Sequence, residues 1–360
     1  MSNSVSIIYH EELSGYDFGV GHPFRGNRFE DFPSSLEKYG ESLNYELKEA
    51  SPADLTDLLK ITGEGYVDFT EGYFNSAGPG EDRERFFKFH SGDNVPGDGS
   101  GDVERAARIA VGQAKMAADL IVSGTELAIS IGGGFHHAGF SHGEGFCIYN
   151  DVAFAGKYLL EKDGIDRVMI LDTDAHFGNG TYEYFSEDPE VLVVDLHQDP
   201  ATIYPGTGFA DQVGEGRGEG YTINIPLPPG SGDESYRTVF EEVVSPLTEQ
   251  FDPQVIIRNG GGDPYSGDPL TDLGVTLAGL RMIGDWVRKL RESTGAGLVD
   301  LIVSGYSGSN LHRSWVALIA GLTGSGTRPL ETTDKIDHGY AKTKEVIGEV
   351  KELQDRYWNL

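Results

Sequence analysis

Five short aliphatic runs, at 127–131, 168–171, 191–196, 255–257 and 301–303, constrain the fold more than any other feature of the chain. Helical stretches lie between several of them, at 151–161, 234–250 and 276–291. Strands alternating with helices build a largely parallel sheet with helices on both faces. A sixth run at 5–9 reads as a first strand. Helix starts are expected at Ser51-Pro52-Ala53-Asp54 and at Asp102. After Asp102, Val103, Ala106, Ala107, Ala110, Val111, Ala114, Ala117 and Ile121 recur at helical spacing. The Gly- and Asp-rich segment 63–101 has little periodicity and is expected to be an irregular rim over a site. The tail 339–360 reads as a closing amphipathic helix on Val346, Ile347, Val350 and Leu353. No repeat or linker interrupts the chain, so one α/β domain spanning 1–360 is expected.

Open parallel sheets bind ligands at the C-terminal ends of their strands. Here those ends carry Gly132-Gly133-Gly134-Phe135-His136-His137, the stretch Asp172-Thr173-Asp174-Ala175-His176, Asp195-Leu196-His197, Asn259-Gly260-Gly261-Gly262-Asp263 and Ser304-Gly305-Tyr306. In an extended chain Asp172, Asp174 and His176 share one side. Asp174 and His176 are the best metal ligands, with Asp263 as the third. One imidazole and two carboxylates leave a position for water and suit zinc, or iron(II). The His136-His137 pair offers a proton acceptor and an assistant for the leaving group, provided a turn aims both rings inward. Tyr306 could donate to a developing oxyanion. Each feature alone also fits a packing or turn role; five chemically unusual strand ends together carry the weight. A competing reading takes Gly305-Tyr306-Ser307-Gly308-Ser309 as an imperfect nucleophile elbow, with Asp334 and His338 as partners for Ser307.

Composition narrows the partners. With 58 acidic against 28 basic residues, the formal net charge is -30. Nucleic acid and anionic membranes are poor partners for such a surface. The acids are spread among apolar segments, a pattern resembling cytosolic proteins of halophilic archaea, where molar salt screens self-repulsion. The single cysteine, Cys147, excludes an internal disulfide and fits a reducing compartment. The N-terminus lacks signal-peptide features and no apolar run reaches transmembrane length, so a cytoplasmic location is expected.

Taken together, these residues resemble the histone deacetylase superfamily, including bacterial and archaeal acetoin-utilisation-type deacetylases. The resemblance runs from Tyr9 to Tyr306. It rests on Gly21-His22-Pro23, Gly133-Gly134-Phe135-His136-His137-Ala138, Gly145-Phe146-Cys147-Ile148-Tyr149-Asn150-Asp151, the Asp172 to Thr181 stretch, Tyr204-Pro205-Gly206-Thr207-Gly208, Asp263 with Gly267-Asp268, and Gly305-Tyr306, in that order. It implies an arginase/deacetylase-like three-layer fold and zinc-dependent hydrolysis of an N-acyl amide, acetyl-lysine above all. By motif position, Asp174, His176 and Asp263 would hold zinc. His136 and His137 would be the tandem acid/base histidines, with His137 the general base. Tyr306 would polarise the carbonyl, Asp172 would orient His136, and Asn179 would sit behind His137. Phe146 and Gly145 would line the acyl-lysine tunnel, Arg28 an internal channel, and Asp93 or Asn94 the substrate rim. The resemblance further implies a potassium ion held by Asp172, Asp174, His176, Asp195 and Leu196. A second monovalent site would use the carbonyls of Phe185, Asp188, Val191 and Tyr221.

Several positions depart from the family pattern. Phe177 stands for a second histidine. Asn179 stands for the aspartate of class I members, as in classes II and IV, so a more often neutral His137 is expected. Asp195 replaces a common serine and would add charge to the potassium site. Val303-Ser304 replaces glycines before Tyr306. Gly178 stands where binuclear ureohydrolases of the same fold carry a metal-binding aspartate, which argues for one metal. An acetylpolyamine or longer-chain N-acyl amine is the alternative substrate, and a non-catalytic acyl-lysine sensor is a rival of another class. The oligomeric state is left open.

Overall fold

Parallel strands buried on both faces need no polar alternation, and the strands at 168–172 and 191–198 contain no exposed residue. The computed structural model describes residues 4–40, 42–75, 83–325 and 336–360. In these residues eight strands form one sheet: β1 (Val5–Ile8), β2 (Tyr45–Lys48), β3 (Leu127–Ile131), β4 (Val168–Asp172), β5 (Val191–Gln198), β6 (Thr222–Leu227), β7 (Val255–Gly260) and β8 (Gly297–Ile302). Their order is β2-β1-β3-β8-β7-β4-β5-β6, and every pairing is parallel. Helices surround the sheet, giving the parallel α/β architecture expected from the alternation and the arginase/deacetylase-like fold that the resemblance implies.

The five strands whose ends carry unusual sequences, β3, β8, β7, β4 and β5, are contiguous in the sheet. Their C-terminal loops therefore meet over one stretch of the sheet edge. Register fixes this closely: Asp172 on β4 lies opposite Asp195 on β5 and Asn259 on β7.

Helix starts follow the capping residues. Asp54 accepts the Asp57 N–H at the start of Leu55–Leu58, and Asp102 accepts the Arg105 N–H at the start of Val103–Val122. Asn150 caps Asp151–Leu160, and Thr276 caps Leu277–Thr294. The helix expected at 234–250 is interrupted. Asp233–Val239 passes through a π-turn, Phe240–Val244, into Ser245–Phe251. Pro246 has no N–H to give the α-helical ladder, and the Ser245 N–H reaches back to Phe240 instead. The closing helix is Tyr340–Gln354.

Three sequence expectations need correction. The segment 63–101 is not irregular throughout, because Glu64–Asn75 and Arg83–Phe89 are helices. Their aromatic residues Tyr66, Phe69, Phe74, Phe86 and Phe89 cluster around His90, so packing among rings supplies what helical periodicity did not announce. Two edge strands were missed. In β2 no residue is fully buried, so it has no hydrophobic run, and β6 carries Thr222, Asn224 and Pro226 between its aliphatic residues. Strands β7 and β8 are longer than expected because each contains a buried charge. Arg258 and Asp300 are register partners that form an ion pair with both side chains fully buried.

Candidate metal centre and active site

The β4 strand ends at Asp172, and the chain then bends rather than continuing extended. The Asp172 carboxylate accepts the Asp174 N–H at 3.0 Å, and Asp174 accepts the His176 N–H at 2.9 Å. Two successive aspartate turns therefore gather the three side chains. The extended-strand explanation for their common direction does not hold; the turns perform that task. Asp263 arrives from the loop after β7. Its carboxylate lies 3.1 Å from His176 Nδ1, and Asp174 lies 3.1 Å from the same nitrogen. Donor atoms of Asp174, His176 and Asp263 all fall within 4.8 Å of one another. Among the described residues this is the group of three with metal-ligating geometry.

The electrostatics of this group fit a cation. Burial and the neighbouring Asp174 push the Asp263 carboxyl up to about 8. Burial works against protonation of His176, but its bonds to Asp174 and Asp263 outweigh that and raise it to about 10. Two buried carboxylates around one imidazole thus demand positive charge, and this nitrogen–oxygen donor set suits zinc or iron(II).

The loop after β3 brings the paired histidines to the same place. Asp151 holds it by accepting the Gly134 and Phe135 N–H groups at 2.8 and 2.7 Å. His136 Nδ1 lies 2.8 Å from Asp172 and its Nε2 lies 3.1 Å from His137 Nε2. His137 Nδ1 lies 2.7 Å from Asn179 Oδ1. Burial opposes charge on His136, but Asp172 and Asp174 overcome it and raise its pKa to about 9. Burial, followed by the charges of His136 and His176, drives His137 well below the usual imidazole range. These effects push the two rings in opposite directions, His136 toward its charged form and His137 toward neutral, while the Asn179 bond itself favours protonation of His137.

Tyr306 follows β8, where its N–H and that of Ser307 donate to Asp268 at 2.6 and 3.2 Å. Burial pushes its hydroxyl up while the Arg28 guanidinium, 5.0 Å from the ring, pulls the other way. The phenol thus stays protonated. Arg28 is buried and donates to Val303 O at 3.1 Å.

These groups line one cavity of about 610 Å³, with Phe24, Asp93, Gly145, Phe146, Tyr204, Leu270 and Ser304 among its walls. Phe146 has a φ of 67°, a strained conformation for a bulky residue. The Tyr16 hydroxyl holds it by donating to Phe146 O at 2.7 Å. Asp93 reaches the cavity while Asn94 is fully buried beneath it, donating to Cys147 O. Asp195 lies beside Asp172, yet its carboxylate accepts the Gly178 N–H at 2.9 Å and lies 2.7 Å from His197 Nδ1. The extra charge expected there faces an imidazole. Leu196 follows it in β5. Phe185, Asp188 and Val191 share the turn between Asn179–Phe185 and β5, where Tyr221 O accepts the Val193 N–H. For the nucleophile-elbow reading, Asp334 lies outside the described residues and His338 packs against Gly230.

Comparison with known proteins decides the family. The histone deacetylase domain model matches residues 22–322. This chain belongs to the histone deacetylase domain family. It is 34% identical to a probable deacetylase of Archaeoglobus fulgidus, covering 98% of both chains. It is 32% identical to an acetoin utilization protein AcuC of Staphylococcus aureus, covering 94% of this chain and 87% of that one. Among solved structures, the HDA15 HD domain superposes with a TM-score of 0.83 at 27% identity, covering 99% and 96% of the two chains. As a member of this family the chain is a hydrolase acting on acetyl amides.

Within this deacetylase domain, the supporting roles of four residues were not legible in the sequence. Ser304 Oγ donates to Asp263 Oδ1 at 2.7 Å, tying the Tyr306 loop to the acidic donor. Asn259 Nδ2 donates to Asp172 at 2.9 Å. Asp268 anchors the Tyr306 backbone. Glu144 accepts from the Asn179 side-chain amide. A buried serine or amide at a strand end gives no periodic signal; only the fold reveals its partner.

Proposed function

We propose that the chain hydrolyses the acetyl amide of acetyl-lysine in proteins or peptides, with zinc held by Asp174, His176 and Asp263. The ion, when bound, would polarise the acyl carbonyl and lower the pKa of the attacking water. His137, neutral and with Nδ1 engaged by Asn179, takes the water's proton at Nε2. Tyr306 donates its phenolic hydrogen to the oxyanion that develops on the carbonyl oxygen. His137 then returns the proton to the amine, which leaves with the C–N bond. His136, held charged against Asp172, keeps positive potential beside the reacting centre. Phe146 and Tyr204 flank the alkyl chain and exclude water, and Asp93 holds the substrate backbone at the rim. Potassium beside Asp172, Asp174, His176, Asp195 and Leu196, and at the carbonyls of Phe185, Asp188, Val191 and Tyr221, would stiffen the loops that present these groups.

The observation that carries this reading is the convergence of the donor triad, the His136–His137 pair and Tyr306 on one cavity. An acetylpolyamine or longer N-acyl amine is a second reading, supported by the Asp93 carboxylate on the cavity wall and by the acidic surface. A panel of acetyl-lysine peptides, acetylpolyamines and longer acyl-lysines, assayed at high potassium chloride with defined metals, separates the two. Higher kcat/KM on peptides supports the first reading, and higher kcat/KM on polyamines replaces it with the second. Loss of turnover in both Tyr306→Phe and His137→Ala is expected; unchanged rates in both would refute the mechanism.

A further inference from the structure

His137 sits at the centre of a hydrogen-bond chain whose two ends are carboxylates. At one end Asp172 faces His136 Nδ1. At the other, Glu144 faces the Asn179 side-chain amide, whose oxygen faces His137 Nδ1. A carboxylate can only accept, so each end fixes the direction of the bonds leading to it. His136 must donate from Nδ1 to Asp172. Asn179 must turn its NH2 toward Glu144, which leaves its carbonyl oxygen for His137. His137 must then carry its proton on Nδ1. Its Nε2, 3.1 Å from His136 Nε2, is left with the lone pair and accepts from that ring.

Asparagine alone would not impose this. Its oxygen and nitrogen are nearly the same size, and a flipped amide would present NH2 to His137. His137 would then adopt the opposite tautomer, with its proton on Nε2 and no base facing the pocket. With Glu144 in place, the flipped amide sets an oxygen against a carboxylate oxygen with no hydrogen between them.

Glu144 is itself held for this task. His142, whose Nε2 lies 3.8 Å away, comes first among the effects that keep the carboxyl below its ordinary range, and the Asn179 bond acts in the same direction. The Tyr204 hydroxyl approaches the same carboxylate, and the Tyr204 ring meets the His137 ring edge to face at 5.1 Å. Gly145, the next residue, has no side chain, and a Cβ there would fall 2.3 Å from the His137 ring. The backbone can therefore pass beside His137 and deliver Glu144 behind Asn179.

We propose that Glu144 is a positioning residue that acts through Asn179 to hold His137 in the tautomer whose Nε2 carries the lone pair. This rests on the reading above, in which His137 is the base. Steady-state kinetics on a neutral acetyl-lysine peptide test it, with thermal melts to establish that each variant folds. Glu144→Ala is expected to lower kcat about tenfold or more with little change in KM, the usual effect of losing such a supporting partner. Glu144→Gln, whose side-chain oxygen can still accept from Asn179, retains most of the rate. In an Asn179→Ala background Glu144→Ala costs nothing further. Asn179→Asp alone is impaired, because it sets two carboxylates in contact. Adding Glu144→Gln to Asn179→Asp restores activity, since the glutamine can turn its NH2 to the new carboxylate. A wild-type kcat in Glu144→Ala, an equal cost in the Asn179→Ala background, or no rescue of Asn179→Asp would overturn the proposal. His137→Ala keeps the two readings apart: if it is inactive while Glu144→Ala is normal, only the role of Glu144 falls. If His137→Ala is fully active, the base assignment falls, and the role of Glu144 falls with it.

Discussion

At position 145 a side chain has nowhere to go. Gly145 has a φ of 58°, and a Cβ would press on His137. Gly145→Ala is therefore expected to displace the His137 ring and to lower kcat about 100-fold, the usual consequence of moving a reacting group by about an ångström. Tyr306→Phe deletes the proposed oxyanion donor and leaves the ring in place. Its expected loss is about 100- to 1,000-fold in kcat with KM nearly constant, measured by acetate release. His90 offers a test of stability instead. It is buried among aromatic rings, and burial lowers its pKa to about 3. Above pH 6.5 the neutral ring matches its unfolded state, and stability is fully present. Below pH 6.5 the unfolded chain takes up a proton that the folded chain refuses, so stability falls with pH. At pH 5 the loss from this residue is about 2 kcal/mol. Urea unfolding of His90→Phe should have a shallower slope between pH 6.5 and 5 than the parent; an identical slope would contradict the assignment.

At the scale of elements, β7 and β8 carry the Arg258–Asp300 pair through the middle of the sheet. Removing one partner leaves a buried charge uncompensated. Asp300→Ala is expected to cost about 3–5 kcal/mol in urea unfolding, and replacing both residues with apolar side chains of similar volume to cost far less. The same pair explains why two strands were read too short. A charge inside an aliphatic run ends the run by pattern, while in the fold its partner on the neighbouring strand neutralises it. The five functional strand ends were legible because glycine, histidine and aspartate there break the aliphatic pattern sharply. Their adjacency in the sheet was not, since strand order is set by long-range packing. The donor triad was legible by residue type, but the turns that gather Asp174 and His176 were not. A period-two argument cannot distinguish a continuing strand from two aspartate turns. Glu144, Ser304 and Asn259 were invisible for a related reason, because a supporting side chain is defined by its partner in space.

For the whole molecule, a net charge of -30 makes self-repulsion a property of the fold. Screening shortens from about 10 Å at 0.1 M salt to about 3 Å at 1 M. The melting temperature should therefore rise steadily over that range in potassium or sodium chloride. A flat profile would mean the charges are already balanced locally. Potassium exceeding sodium at equal ionic strength would report the proposed monovalent sites. Among the described residues no helix is long and apolar enough to cross a membrane. The central claim is that one divalent ion, held by Asp174, His176 and Asp263, works with His137 and Tyr306 in a single cavity. The most direct measurement strips the protein of metal and titrates zinc or iron(II) back while following acetate release from an acetyl-lysine peptide. The expected result is no turnover without metal, a rise that levels off at one ion per chain, and no rise in Asp263→Asn. Full activity in the metal-free protein, or a plateau only at two ions per chain, would contradict it.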